Sequence, residues 1–307
     1  MRRLTVSLLL LVLLSSCGVV RLRNSPYYYA GEPVSAGYTP RGIVEEHMYP
    51  CSVKGPSQRR MIVYLPSDYY DSEVRYPVFY LLHGARGYET AWIRKGEVLQ
   101  ITDSLWTAGV AEKCIVVMPN ANQYNDDADY EGSRYKDCFE SIFELDGTVE
   151  KAFVKDVVDF VDAHFRTIPE KESRAIAGLS AGGLQSLFIS ANNPSDFGYV
   201  GLYSPMCTII QKPGPDNDFY FHRNKKLADQ FNGTEAPLGY YIYVGTTDFF
   251  RPHVALYSKY MNRKDYAHEY ILTKGGHEWY NWNAYYADML GKAFKKPGES
   301  EPSDPAR

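Results

Sequence analysis

Seven short apolar runs, each ended by a turn-forming residue, alternate along this chain with longer amphipathic patterns. Arg60 to Leu65 stops at Pro66, Pro77 to Leu82 at His83-Gly84, and Ile115 to Met118 at Pro119-Asn120. Ala175 to Ala177 stops at Gly178, and Val200 to Tyr203 at Ser204-Pro205. Tyr240 to Val244 stops at Gly245, and Tyr270 to Leu272 runs on to Gly275-Gly276. Strands that are apolar on both faces belong to a sheet covered on both sides. Val154, Val157, Val158, Val161 and Phe165 fall at helical spacing, with Lys155, Asp156, Asp159 and Asp162 expected to face outward. Residues 181–192 and 279–293 also read as helices. The alternation predicts one α/β domain with a mostly parallel central sheet and helices on both faces. In such sheets the ligand site lies at the carboxyl ends of the strands.

The two ends of the chain read differently from the middle. Met1-Arg2-Arg3 is basic, and Leu4 to Leu14 is apolar except for Thr5 and Ser7. That run is too short to span a bilayer permanently but has the length of a signal-peptide core. Leu14-Ser15-Ser16-Cys17 resembles a bacterial lipobox, so residues 1–16 are expected to be removed and Cys17 to carry lipid. More than one acyl chain there would hold the protein stably on a membrane. The expectation is an exported, membrane-anchored bacterial lipoprotein facing the periplasm or the cell surface. Residues 17–42 read as the lipidated Cys and its tether, 43–295 as the folded domain, and 296–307 as a disordered tail.

Composition excludes little but directs attention. A net charge of −4 gives no electrostatic reason to expect nucleic acid as a partner. The chain has 27 Tyr, and a surface rich in them would suit amphipathic partners such as sugars or aryl groups. Beyond Cys17, the residues Cys51, Cys114, Cys138 and Cys207 match no metal-site spacing, and three disulfide pairings are open to them. Asp127 to Gly132 begins like a calcium loop, but its twelfth position is Cys138, where a bidentate Glu is required. No metal site is therefore assigned. The polar, Tyr-rich part of 120–150 is expected to form a lid.

Gly178-Leu179-Ser180-Ala181-Gly182 fits G-x-S-x-G and lies where that motif works, after a strand and before a helix. The serine of such an elbow sits on a sharp turn, so the positions two before and two after it must be almost free of side chain. A serine hydroxyl is a poor nucleophile without a base in hydrogen-bond reach. Asp248 follows one late strand through Gly245-Thr246-Thr247, and His277 follows the next through Gly275-Gly276. Ser180, Asp248 and His277 then form one constellation in the chain order of nucleophile, acid and base. The other histidines fit less well: His164 lies on a helix, His268 precedes its strand, and His222 and His253 do not directly follow one. Donors for a developing oxyanion are expected at the N–H of Ala181 and the N–H of Ala85, in the loop after the strand ending at Leu82. His83 reads as a brace for that loop.

Three blocks carry a family resemblance: Tyr64-Leu65-Pro66 through Tyr76 to Gly84, Gly178 to Gly183, and Gly276-His277-Glu278-Trp279 with Trp282. Together they resemble the esterase D and feruloyl esterase branch of the α/β hydrolases, across residues 43–293. That branch includes carbohydrate esterase family one. The resemblance implies an α/β-hydrolase fold and a serine esterase that needs no metal or cofactor. Ser180 would be the nucleophile, His277 the base, Asp248 its orienting acid, and Ala85 an oxyanion donor. Arg86 departs from the small residues frequent at its position. The exported address favours a small ester or esterified oligosaccharide, with feruloyl or acetyl groups removed from plant polysaccharide such as xylan. Arg86, Trp279 and Trp282 are candidate substrate contacts, with Tyr280, Tyr285 and Tyr286 as further stacking surfaces or as packing for the last helix. The alternatives are acyl transfer to a sugar and a surface lipoprotein that only binds glycans.

Overall fold

The computed structural model describes residues 38–53, 57–85, 87–121, 149–206 and 225–295. Several expectations lie outside those residues: the leader with Cys17, Arg86, the lid and calcium-like stretch including Cys138, Cys207, His222 and the tail from Lys296. Of the remaining cysteines, Cys51 and Cys114 carry free thiols.

Eight strands make one sheet: β1 (Ile43–Pro50), β2 (Gln58–Leu65), β3 (Val78–Leu82), β4 (Ile115–Pro119), β5 (Arg174–Leu179), β6 (Tyr199–Tyr203), β7 (Gly239–Gly245) and β8 (Glu269–Thr273). Their order is β1-β2-β4-β3-β5-β6-β7-β8. The first two pairings are antiparallel and the other five parallel. Seven strands overlap the apolar runs of the sequence. β1 does not belong to that set: it pairs Ile43 with Leu65 and Pro50 with Gln58 along the sheet edge.

Alternate residues of each strand enter two separate cores, as the period of two requires. Val78, Tyr80 and Leu82 of β3 face one core with Val63, Ile176, Val200 and Ile242. Phe79 and Leu81 face the other with Tyr64, Val116, Ala177 and Tyr243. Helices α1 (Ala91–Arg94), α2 (Val98–Thr107) and α8 (Trp279–Lys292) cover the second face through Trp92, Val98, Leu99, Tyr285, Tyr286 and Met289. The first face is covered by α3 (Val149–Phe153), α4 (Asp159–His164), α5 (Ala181–Asn192) and α7 (Arg251–Arg263), with α6 (Lys225–Asn232) adding Leu227.

A π-turn at Val154–Val158 joins α3 to α4. The wider turn departs from 3.6-residue spacing, and within it Asp156, expected outside, is buried and accepts the N–H of Ser52 at 2.7 Å. Tyrosines depart from expectation too. Most of those described line the cores, and several of their hydroxyls find internal partners: Tyr49 donates to the Asn120 carbonyl at 2.8 Å and Tyr64 to Asp103 at 2.6 Å, whereas the buried Tyr80 hydroxyl has none. Among the described residues no helix is long and apolar enough to cross a membrane.

Candidate active site

The parallel strands β5, β7 and β8 end on the same rim, and each delivers one candidate residue there. Ser180 follows β5 directly and caps α5 with φ 55° and ψ −113°, a left-handed conformation that an L-residue adopts only under constraint. The constraint is visible. The Ser180 N–H donates to the Tyr203 carbonyl at 2.8 Å, and its carbonyl accepts from Leu184 and Met206 at 3.2 and 3.0 Å. Side chains two positions away would break the turn: a Cβ on Gly178 would lie 2.6 Å from the carbonyl carbon of Gly182, and one on Gly182 would run into the His83 carbonyl oxygen. Ala181 opens α5, so its N–H is one of the first-turn amides that have no partner within the helix.

The loop after β3 packs against this elbow. A Cβ on Gly84 would sit 3.6 Å from that of Ser180, so the loop lies against the elbow. His83 is buried and holds the loop with both ring nitrogens: the Ala121 N–H donates to Nε2 at 3.0 Å, so Nδ1 carries the proton and donates to the Gly84 carbonyl at 2.8 Å. Burial, partly offset by that carbonyl, pushes the His83 pKa down to about 4.

At the far side of the rim, His277 Nδ1 lies 3.0 Å from Asp248 Oδ2. The carboxylate is fully buried, and its Oδ1 accepts the Phe250 N–H at 2.8 Å. Burial alone would raise the Asp248 pKa. His277, Ser204 and the Phe250 amide outweigh it and hold the carboxyl below its ordinary range. An ionised Asp248 puts the imidazole proton on Nδ1 and leaves Nε2 free to act as a base. Among the described residues the Ser180 hydroxyl makes no hydrogen bond to His277. Such contacts commonly tighten only with substrate in place.

Two loops carry this pair, and they are stitched together. Thr246 N–H donates to the Thr273 carbonyl at 2.7 Å and Thr247 N–H to the Gly275 carbonyl at 2.9 Å. From α8, Asn281 Nδ2 donates to the Gly276 carbonyl at 2.8 Å and Glu278 accepts the Gly276 N–H at 2.9 Å. Aromatic rings enclose the imidazole: Phe249 at 4.4 Å, Phe250 at 5.2 Å and Trp282 at 4.9 Å between centroids. Trp282 packs on Trp279, Trp279 on Trp92, and the Trp92 indole N–H donates to the Leu82 carbonyl at 3.1 Å. An aromatic chain therefore links His277 to the end of β3.

The other candidates fall elsewhere. Trp282 is 7% exposed and buries its ring against His277 rather than offering a face to solvent; Tyr285 and Tyr286 are core residues. Trp279 is half-buried, whereas Tyr280 is 80% exposed. His268 pairs with Ser258 at 2.9 Å before β8, and His164 accompanies the Phe160 carbonyl on α4. His253 lies on α7. Ser204 was not among the sequence candidates, yet it lies against Asp248. The turn residues Ser204-Pro205 were its only signal.

Residues 52–293 match the family described as "Putative esterase". An endo-1,4-β-xylanase/feruloyl esterase of Xylanibacter ruminicola is 36% identical over 146 residues, which is 46% of this chain and 19% of that protein. An esterase of Mycobacterium tuberculosis is 32% identical over 146 residues, 46% of this chain and 28% of its own length. The aligned segment thus spans under a third of either relative. Among solved structures, a ferulic acid esterase from Anaeromyces mucronatus superposes with a TM-score of 0.67 at 22% identity, covering 88% of this chain and 96% of the other. An S-formylglutathione hydrolase from Staphylococcus aureus gives 0.64 at 16% identity, covering 84% and 98%. These likenesses concern the fold, which is that of the α/β hydrolases. With most of its length matched, the chain belongs to this esterase family.

Proposed function

We propose that the protein is a serine carboxylic-ester hydrolase working through an acyl-enzyme. The observation that carries this is the pairing of His277 Nδ1 with the buried Asp248 at 3.0 Å, on the rim where Ser180 occupies its constrained elbow. His277 Nε2 takes the Ser180 proton as the hydroxyl attacks the ester carbonyl. The N–H groups of Ala85 and Ala181 hold the oxyanion while it forms. The tetrahedral adduct expels the alcohol, which leaves with the proton from His277. Water, deprotonated by the same imidazole, then releases the acid and restores Ser180. Asp248 fixes the tautomer and steadies the imidazolium.

Feruloyl or acetyl esters of plant polysaccharide fragments, xylan among them, are the proposed substrates. The similarity to a xylanase/feruloyl esterase supports the acyl group, and the leader and Cys17 of the sequence support an exported, lipid-anchored site of action. Purified protein is assayed on p-nitrophenyl acetate and methyl ferulate beside Ser180→Ala. Ferulate release that vanishes in the variant is the expected result. Acetate release alone moves the assignment to a deacetylase, and no Ser180-dependent turnover of either overturns ester hydrolysis on these substrates. Labelling of the native protein with radioactive palmitate, lost in Cys17→Ala, tests the anchor.

A further inference from the structure

The loop that leaves β3 packs against the Ser180 elbow and is held at both of its limbs. At the first, His83 Nε2 accepts the Ala121 N–H at 3.0 Å. At the second, Glu89 Oε1 accepts the Arg60 Nε–H at 2.7 Å. Both holds lead to one place. β2 runs antiparallel to β4, with Met61 opposite Pro119, so Arg60 lies at the rim where β4 ends. There the Asn120 N–H donates to the Arg60 carbonyl at 2.9 Å. His83, Ala121, Asn120, Arg60 and Glu89 thus form a circuit that the loop itself closes. Inside it, the Gly87 N–H donates to the Gly84 carbonyl at 3.0 Å, and Gly84 lies against Leu179 and Ser180.

Glu89 is an unusual residue for a loop. Its side chain is fully buried, and Oε2 makes no hydrogen bond. A carboxylate is costly to bury unless a partner offsets its charge. Arg60 is that partner, and its Nη1 reaches outward to the exposed Glu46 at 3.4 Å. Stability alone gives no reason for such a pair, because apolar side chains of similar volume commonly serve as well. An ion pair adds direction: one N–H meets one oxygen along one line and fixes the second limb against β2.

We propose that Glu89 and Arg60 are positioning residues for the oxyanion site. Their bond keeps Gly84 against the elbow and the Ala85 N–H aimed at the oxygen that gains charge. This rests on the serine-esterase reading above, which assigns that N–H its role. No bond is made or broken at either side chain.

Removing one partner strands a buried charge, so the test replaces both. In the full chain, Arg60→Met with Glu89→Met is expected to melt within about 5 °C of wild type or above it. Its kcat on p-nitrophenyl acetate should fall about tenfold or more with KM within about twofold, because an oxyanion donor acts chiefly in the transition state. Hydrogen exchange at the Gly87 amide should quicken about tenfold. Glu89→Gln, which leaves Arg60 a neutral and weaker acceptor, should fall between, at about threefold in both readouts. Wild-type kcat in a folded double variant would overturn the proposal, as would a loss confined to KM. If the double variant does not fold, Glu89→Gln decides: faster Gly87 exchange supports the tie, and an unchanged rate overturns it. Equal turnover by wild type and Ser180→Ala would end the esterase reading instead, and the Gly87 rate would still show whether the pair orders the loop.

Discussion

The N–H of Ala121 reaches Nε2 of His83 at 3.0 Å and thereby ties the chain just beyond β4 to the loop that packs against Ser180. The tie exists only while the imidazole is neutral, since a protonated Nε2 has no lone pair to offer. An unfolded histidine titrates near 6.5, whereas burial holds His83 down to about 4. The unfolded chain therefore takes up a proton that the folded chain refuses. The stability linked to His83 is complete above pH 6.5 and falls as pH drops from there toward about 4. In His83→Gln this part of the acid slope should disappear from urea melts at pH 7 and pH 5, and kcat should fall because the loop is released.

Ser180 carries backbone strain that glycine would relieve. Ser180→Gly should gain about 1 kcal/mol in denaturant unfolding while kcat falls by about 10⁴-fold or more. A variant that is both inactive and less stable would contradict the strain argument.

Asp248→Asn keeps the shape but reverses the preference for an Nδ1–H tautomer, and should lower kcat by about 10³–10⁴-fold. Its effect on stability follows from a depressed carboxyl pKa. The wild-type contribution is present above the unfolded carboxylate pKa near 3.8 and is lost as pH falls through the lower folded value. Acid titrations of wild type and Asp248→Asn should therefore converge at the lowest pH.

Asn281→Ala removes the donor to the Gly276 carbonyl, next to His277. Gly276 is half-buried, so losing this hydrogen bond costs about 0.5–1.5 kcal/mol. The loop that presents the base also loosens, and about a tenfold fall in kcat is expected in steady-state assays with p-nitrophenyl acetate.

Tyr280 is the exposed aromatic in the first turn of α8. Tyr280→Ala should leave stability within about 0.5 kcal/mol of wild type. If the ring stacks on sugar, KM should rise for a feruloylated oligosaccharide and stay constant for methyl ferulate.

The strands were legible because their apolar runs end at turn residues, and the elbow because Gly178 and Gly182 flank Ser180 in strand–helix context. β1 was not. Its half-buried positions are Ile43, Glu45 and His47, while Val44 and Met48 face solvent, so its hydrophobic pattern runs against its burial. The inward turn of Asp156 depends on a π-turn, which leaves no mark on a 3.6-residue periodicity. Trp282 looked like a contact for substrate because aromatic residues pack and stack alike in sequence; only burial separates the two. Ser204 escaped notice because serine before proline reads as an ordinary turn, and its proximity to Asp248 arises from neighbouring strands far apart in sequence.

The antiparallel start of the sheet sets an orientation. β1 is antiparallel to β2, and β2 to β4, so β1 runs in the same direction as the strands that carry the site. Ile43 therefore enters at the rim opposite Ser180, Asp248 and His277. Tyr38 and the Arg41 N–H are fastened there to Asp103 of α2 at 2.5 and 2.8 Å. With the anchor proposed above at Cys17, the chain would enter the folded domain on the side away from Ser180, Asp248 and His277.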